Sequence, residues 1–221
     1  MNDVRAHHNA LKRTLIQNTT PSGSTILDVG CGAGGDLQKW FHTRVKTLDM
    51  CDPGSLDEAR ARASKMNLPV SFYQGDVLSC PKKMYDVIAY NFSMHYIFDS
   101  KKLFHDTLHA IRVRLKIGGK LFGIIPDSEQ ILMETPFKDS LGNYMVRDDS
   151  TTGHGGFGEK LFVFLSDSPF YKEGPRAEPI AYKDLLVTHL DMLGIVLDEW
   201  KICEGGPLTR MYSQFRFTRV R

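Results

Sequence analysis

Short apolar runs alternate with amphipathic stretches from Ser24 to about Pro126. The apolar runs predict five strands, at residues 25–29, 45–50, 70–73, 85–90 and 120–125. The amphipathic stretches predict helices at 36–41, at 55–66 and from about 104 onward, where apolar residues recur at steps of three and four. Gly118-Gly119 is expected to end the last of these helices. Strands that alternate with helices are typical of a parallel sheet with right-handed crossovers, so the pattern predicts a doubly wound α/β fold.

The rest of the chain follows a different pattern. Residues 136–179 are rich in Gly, Ser, Asp and Pro, with predicted strands at 143–147 and 160–165 joined by a turn at 148–158. We interpret this region as a hairpin-like insertion over the carboxyl edge of the sheet. The other predicted elements are a helix at 4–16, a helix at 182–193 and a strand pair at 195–203 and 210–219. The chain is therefore interpreted as one domain in three parts: 1–20, 24–126 and 127–221.

Composition narrows the class of protein. Lys and Arg total 28 against 26 Asp and Glu, a net charge of +2, which excludes a strongly basic nucleic-acid coat but not a local basic groove. No apolar run reaches the roughly 18 to 20 residues of a membrane span, and the N-terminus lacks the apolar stretch of a signal peptide. The four cysteines form no CxxC pair, so neither a metal site nor a disulfide framework is predicted. Isolated cysteines suit a reducing compartment, and we expect a cytosolic or nuclear protein.

The clearest candidate for a ligand site is the glycine-rich turn after the first strand, residues 26–36. Glycines let a ligand approach the backbone, and open α/β sheets bind ligands at this position. Gly30 begins a GxGxxG pattern, so a dinucleotide with its pyrophosphate on the helix N-terminus remains an alternative. Asp28 and Asp36 flank the glycines, however. Carboxylates at both ends disfavour a phosphate and favour a ligand that carries an ammonium or sulfonium charge.

Further carboxylates follow the next two strands. Asp49 is predicted to end the second strand, where a carboxylate can accept hydrogen bonds from both hydroxyls of a ribose, and Asp52 competes for this role. Asp76 follows the third strand, where its side chain can bond an adenine amino group. Each could instead be a solvated turn residue. Together with the glycine turn, these acids predict a pocket for S-adenosylmethionine.

Five segments match, in order, the motifs of one enzyme family: RAHHNALKRTLI (5–16), DVGCGAGGDLQKW (28–40), YDVIAYNFSMHY (85–96), GIIPDS (123–128) and AEPI (177–180). In them the chain resembles the mRNA cap guanine-N7 methyltransferases, including the methyltransferase domain of the capping enzymes of large DNA viruses. The resemblance implies a Rossmann-like class I S-adenosylmethionine-dependent methyltransferase fold. It implies the 5′ end of capped RNA as substrate, and triphosphatase and guanylyltransferase domains of a larger capping enzyme as partners. A viral member would work in the host cytoplasm or the virion, and a cellular one in the nucleus.

The resemblance also implies roles for individual residues. Those implied to bind the cofactor are Lys12, Asp28, Gly30, Asp36, Asp49, Asp76, Val77, Asn91 and Tyr96. Those implied to bind the cap are Phe92, His95, Tyr96, Pro126, Glu178, Tyr212 and, as a phosphate contact, Arg62. Without the family motif, Phe92 would be interpreted as a core aromatic and Glu178 as a solvated loop residue. The family usually has Lys where Ala33 stands, so one implied phosphate contact is missing.

The chemistry that the resemblance implies needs no catalytic acid, base or nucleophile. Guanine N7 has an in-plane lone pair and no proton, and the methyl group of a sulfonium is already electrophilic. We expect a direct displacement in which the protein holds the reacting atoms nearly in line at about 3 to 3.5 Å, without a metal. Two alternatives remain: a methyltransferase for a small metabolite, and a non-catalytic subunit with a methyltransferase fold. The start at the cofactor helix, without a basic leader, is expected for one domain of a larger enzyme.

Overall fold

The computed structural model describes residues 4–151 and 155–221, so part of the predicted turn at 148–158 lies outside the described residues. Strands within the described residues are β1 (Thr25–Val29), β2 (Thr47–Asp52), β3 (Val70–Gln74), β4 (Tyr85–Asn91), β5 (Leu115–Pro126), β6 (Phe137–Lys138), β7 (Tyr144–Arg147), β8 (Lys160–Phe164), β9 (Arg176–Pro179), β10 (Ile195–Ile202) and β11 (Tyr212–Arg219). Helices are α1 (Val4–Thr19), α2 (Leu37–His42), α3 (Asp57–Ala63), α4 (Lys101–Arg114), α5 (Ser128–Glu134) and α6 (Lys183–Met192).

The main sheet has seven strands in the order β10-β11-β5-β4-β1-β2-β3. Strands β1 to β5 run parallel to one another, and β11 pairs antiparallel with both β5 and β10. The order reverses at β1 and β4, which is the switch point where doubly wound sheets bind ligands. The predicted doubly wound α/β fold is therefore confirmed, with the terminal strand pair as an antiparallel extension.

Strand β4 shows why the sequence forms this sheet. Val87 and Ala89 pack into the core on one face, with residues of α1 and α2. Ile88 and Tyr90 pack into the core on the other face, with α4 and α6. A strand covered on both faces needs the nearly continuous apolar run that this segment has. Helices therefore cover both faces of the main sheet at β4.

The glycine pair 118–119 does not end a helix. Helix α4 ends at Arg114, and β5 begins at once at Leu115, so both glycines lie inside β5. The pairing of β4 with β5 shifts between Tyr85 and Val87, with the glycines on the longer side of this irregularity. A Cβ on Gly119 would lie 3.0 Å from the backbone oxygen of Asp86. The two glycines therefore form a β-bulge and allow a close approach of the β4 backbone, which is a common role of glycine in a strand.

The insertion is a second sheet rather than a simple hairpin. The two predicted strands are present as β7 and β8, but β6 and β9 extend them to a four-stranded antiparallel sheet in the order β6-β7-β8-β9. Its inner face buries Met145, Leu161 and Val163 in a core shared with Tyr212 of the main sheet. Glu178 is not a solvated loop residue, because it is buried and paired with Leu161 inside β9. No helix in the described ranges has the length and apolarity needed to cross a membrane.

Candidate active site

The glycine turn lies where the carboxyl ends of β1, β2 and β4 meet. Gly30 has a left-handed backbone (φ 77°), and its N–H donates to the Cys51 carbonyl at 2.8 Å. A Cβ at this position would lie 2.3 Å from Cβ of Ser93. The Ser93 hydroxyl donates to the Val29 carbonyl at 2.6 Å. Only glycine therefore allows the turn to pack against the end of β4.

Asp36 is the centre of a buried charge network beside this turn. The ammonium groups of Lys12 and Lys39 each lie 2.7 Å from its Oδ1. Asn91, at the end of β4, donates through Nδ2 to Oδ2 at 3.2 Å. Burial alone would raise the pKa of Asp36, but the two lysines outweigh it and hold the pKa below its usual value. The network joins helix α1, the glycine turn and β4 around an ionised carboxylate.

Asp28 lies in β1 near the same network, and its pKa is shifted in the opposite direction. Its Oδ2 accepts a hydrogen bond from Nε1 of Trp40 at 2.9 Å. Burial and the neighbouring Asp36 carboxylate raise the pKa of Asp28. The Oδ1 atom of Asn91 is buried and has no hydrogen-bond partner among the described residues. The structure thus brings Asp28, Asp36 and Asn91 together beside the glycine turn, and their role toward a positively charged ligand stays a prediction.

Strand β2 ends later than predicted, at Asp52. Asp49 lies inside β2, which continues to Asp52. The Asp49 carboxylate is buried, accepts from the Tyr85 hydroxyl at 2.6 Å, and pairs with Lys83 at 2.8 Å. Asp52 instead lies at the strand end and accepts the N–H of Gly32 at 2.7 Å. The premise that Asp49 ends the strand is wrong, and the competing residue Asp52 occupies the position beside the glycine turn.

Asp76 and Val77 lie on the next loop along the same edge. Asp76 caps a short 3₁₀ turn (Val77–Ser79) by accepting the N–H of Leu78 at 2.8 Å, and Val77 is buried. Gln74 ties this loop to the one after β2 by donating to the carbonyls of Pro53 and Gly54, each at 2.7 Å. Both residues thus lie on the loop after β3, which the backbone N–H of Gly75 links to the Asp52 carbonyl at 2.9 Å.

An aromatic cluster marks the other half of the site. Phe92 has a left-handed backbone (φ 61°), which is rare for an aromatic residue and indicates a functional or packing constraint. Its ring stacks on His8 of α1 at 5.2 Å and meets Tyr212 edge-on at 5.3 Å. Tyr212 pairs with Pro126 across β5 and β11. Three of the residues predicted for the cap (Phe92, Pro126 and Tyr212) are thus brought together, and His8 joins them.

Glu178 is a buried carboxylate aimed at this half from β9. It accepts from the Tyr171 hydroxyl at 2.7 Å and from the Tyr96 hydroxyl at 3.4 Å. Its Oε2 lies 3.1 Å from Nε2 of His95, an electrostatic contact without the alignment of a hydrogen bond. Burial alone would raise the pKa of Glu178, but His95 and the two tyrosines outweigh it and lower the pKa. The carboxylate is therefore held ionised in a buried position.

Arg62 is the predicted residue that the structure leaves apart. It pairs with Glu58 on the exposed surface of α3 and makes no hydrogen bond or ion pair with another predicted site residue that the structure describes. Sequence reasoning in turn missed His8, Lys39 and Tyr171. Lys39 carried a signal, since it lies three residues after Asp36 and thus on the same side of a helical turn. Tyr171 carried none, because a lone tyrosine in a polar loop has no distinguishing spacing.

Comparisons with known proteins identify the family of this chain. The family model of the mRNA (guanine-N(7))-methyltransferase domain matches residues 1–168. The chain belongs to this family. The mRNA cap guanine-N(7) methyltransferase of Schizosaccharomyces pombe is 31% identical over 93% of this chain and 66% of its own length. That of Cryptococcus neoformans is 30% identical over 75% of this chain and 27% of its own length.

The fold is found in solved structures as well. N-methyltransferase NodS from Bradyrhizobium japonicum, solved in complex with S-adenosyl-L-homocysteine, superposes with a TM-score of 0.62 at 16% identity and covers 98% of this chain and 87% of its own. The (guanine-N7)-methyltransferase domain thus has a Rossmann-like class I fold here. The chain spans between about a quarter and two thirds of the length of the two curated relatives named above. Among the described residues, no group of three or more His, Cys, Asp or Glu side chains could hold a metal ion.

Proposed function

We propose that this chain transfers the methyl group of S-adenosylmethionine to N7 of the cap guanine at the 5′ end of RNA. The observation that carries the proposal is Glu178: an ionised, buried carboxylate next to the aromatic cluster of His8, Phe92 and Tyr212. Guanine presents N1–H and the N2 amine side by side, two donors that one carboxylate can accept in parallel. Membership of the cap methyltransferase family supports the same substrate.

The residues at the carboxyl edge of the main sheet fit S-adenosylmethionine. Lys12, which pairs with Asp36, would contact the carboxylate of S-adenosylmethionine. Asp28, Asp36 and the orphan Oδ1 of Asn91 would face its ammonium or sulfonium charge. Asp52 would accept the ribose hydroxyls, since each of its oxygens keeps a free lone pair after bonding a backbone N–H. Asp76 and Val77 would border the adenine. When bound, S-adenosylmethionine supplies an electrophilic methyl group on sulfur.

The aromatic cluster and Glu178 would hold the acceptor. The rings of Phe92 and Tyr212 bury the base, and Glu178 fixes its N1–N2 edge, which leaves N7 on the opposite side of the ring. The base becomes cationic as N7 is methylated, so a buried carboxylate and aromatic faces stabilise the product-like charge. No group is needed to remove a proton. Orientation by this chain's residues is then the main contribution to the rate.

The decisive experiment is a methyl-transfer assay with labelled S-adenosylmethionine. The acceptors are capped RNA, free GpppG, GTP and a panel of small metabolites. We expect transfer to the three guanine nucleotides, with 7-methylguanosine in the nuclease digest. Transfer to a metabolite only would favour a small-molecule methyltransferase. Absence of transfer by a protein that binds S-adenosylhomocysteine normally would favour a non-catalytic subunit.

Partners and location follow from this function as proposals. The partners that we propose are triphosphatase and guanylyltransferase domains, because only RNA to which a guanosine cap has already been added is a substrate for N7 methylation. Its substrate would be supplied where new transcripts are capped: in the nucleus for a cellular enzyme, or in the host cytoplasm or virion for a viral one. Co-purification with a guanylyltransferase activity, tested by labelling with GTP, would examine the first point.

A further inference from the structure

Arg176 lies at the exposed end of the strand that carries Glu178. The two residues are separated by one position in β9, so their side chains leave the same face of the second sheet, about 7 Å apart along the strand. On the paired strand, Val163 and Leu161 lie opposite them. Glu178 is buried while Arg176 is exposed. One strand face therefore runs from a buried carboxylate to a solvent-accessible guanidinium.

The Arg176 guanidinium is held in place without an acidic partner. Its Nε donates to the Phe170 carbonyl at 3.0 Å, and its Cζ lies 4.2 Å from the centre of the Phe170 ring. No carboxylate that the structure describes lies within ion-pair distance of it, whereas Arg62 is paired with Glu58 and Arg147 with Glu159. Contacts through Nε and the ring face leave both terminal nitrogens free. A planar fork fixed in this way is suited to a bidentate oxyanion.

The charge of Arg176 also acts on Tyr96, a residue of the candidate cap site. Tyr96 has 37% of its surface exposed, and its hydroxyl lies 3.4 Å from Glu178. Burial and the Glu178 carboxylate raise the pKa of Tyr96, and the positive charge of Arg176 opposes that rise. Arg176 therefore acts electrostatically on the same group that touches Glu178. On the strand face that the two residues share, Arg176 is the solvent-exposed end and Glu178 the buried one.

We propose that Arg176 binds a phosphate of the triphosphate bridge of the cap. The inference rests on the proposed function, because it takes the guanine on Glu178 as the origin of the ligand. A base whose donor edge lies on a buried carboxylate must direct its ribose and phosphates outward, and the free guanidinium on the same strand face is the complementary group there. Arg176 is thus assigned to phosphate recognition in preference to Arg62, whose charge is already paired.

The test compares Arg176→Ala, Arg176→Lys and Arg62→Ala with a control, Lys46→Ala. Lys46 is exposed just before β2, at the opposite edge of the sheet, so this control removes one positive charge away from the site. Binding of GpppG is measured by tryptophan fluorescence, and steady-state rates are measured with GpppG, GTP and GMP. For Arg176→Ala we expect Kd and KM for GpppG to rise roughly 10- to 100-fold, the loss of one charged bidentate contact.

The remaining readouts separate phosphate binding from other roles. We expect kcat to stay within about threefold and S-adenosylhomocysteine affinity to be unchanged in Arg176→Ala, since no cofactor contact is removed. The rise in KM caused by Arg176→Ala should be smaller with GMP, which lacks the triphosphate bridge, and smaller at high salt. Arg176→Lys should be intermediate because it keeps the charge without the fork.

Two outcomes would overturn the assignment. In one, Arg176→Ala has the same Kd and KM for GpppG as Lys46→Ala. In the other, these constants rise in Arg62→Ala alone. Failure of the proposed function looks different from either, because the unaltered protein would then neither bind GpppG nor methylate it. A normal melting temperature of each variant confirms that the comparison is made between folded proteins.

Discussion

Replacing Glu178 should abolish the reading of guanine while leaving cofactor binding intact. The side chain is 4% exposed, and its two oxygens face Tyr171, Tyr96 and His95. A carboxylate has about four lone-pair positions, and both tyrosine hydroxyls donate to Oε1, so the two positions of Oε2 remain to accept guanine donors. Glu178→Ala removes these acceptors together with a charge that stabilises the cationic ring. We expect kcat/KM on GpppG-capped RNA to fall roughly 10²-fold or more, as for the loss of one preorganised charged contact.

The companion variants show which property of the carboxylate matters. Glu178→Gln keeps the size but presents an amide N–H₂ to a guanine donor, so we expect it to be nearly as damaging as the alanine. Tyr171→Phe removes the 2.7 Å hydrogen bond and keeps the charge, so its loss of activity should be several-fold only. Glu178→Ala leaves the buried Tyr171 hydroxyl unpaired, at a cost of about 1–3 kcal/mol in the free energy of unfolding, whereas the amide oxygen of Glu178→Gln can still accept its hydrogen bond.

The assay measures initial rates of methyl transfer below KM, with S-adenosylhomocysteine affinity from calorimetry as the internal control. Cofactor affinity should stay within a few-fold of the unaltered protein in all three variants. Thermal denaturation establishes that each protein is folded at the assay temperature. A Glu178→Ala protein with full activity on GpppG-capped RNA would refute the reasoning, because another residue would then read the guanine.

Three further predictions concern the rest of the site. Asp52→Ala should weaken S-adenosylhomocysteine binding by roughly 1–3 kcal/mol in calorimetry, whereas Asp49→Asn should mainly lower the melting temperature; the opposite result would restore Asp49 as the ribose ligand. Methyl transfer should persist in EDTA, since the displacement has no leaving phosphate to neutralise; loss of activity that a divalent ion restores would contradict this. Burial lowers the pKa of His8 from 6.5 to about 4, so the unfolded chain binds this proton first and stability falls as pH drops from about 6.5 to about 4. Urea titrations of His8→Asn should show this loss reduced by about 2 kcal/mol at pH 5, and equal pH slopes in the two proteins would disprove it.

Elements made of contiguous sequence could be predicted well. The β4 run and the glycine turn are each a local pattern whose physical cause is local: burial on both faces for the first, and close backbone approach for the second. Most of the charged groups around Asp36 also lie within known motifs. The residues that the structure gathers at this edge of the sheet are therefore predictable from the sequence, apart from the one that ends β2.

The errors arise where pairing between distant segments decides the outcome. Whether β2 ends at Asp49 or Asp52 depends on how far its register with β1 and β3 continues, which periodicity does not show. Gly118-Gly119 fits a helix end and a strand bulge equally well, and only pairing with β4 distinguishes them. Strand β9 is four residues long and contains a proline, so no pattern marked it as the strand that carries Glu178.

Helix α1 links the two halves of the site in a way that sequence spacing alone does not reveal. His8 and Lys12 are four residues apart and thus lie on one helical face. His8 stacks on Phe92, in the half that would hold the base, and Lys12 pairs with Asp36, in the half that would hold the cofactor. In-line methyl transfer requires both partners to be held to within a fraction of an ångström. A single rigid helix that contacts both halves meets this requirement better than a loop, because its two contacts cannot move independently.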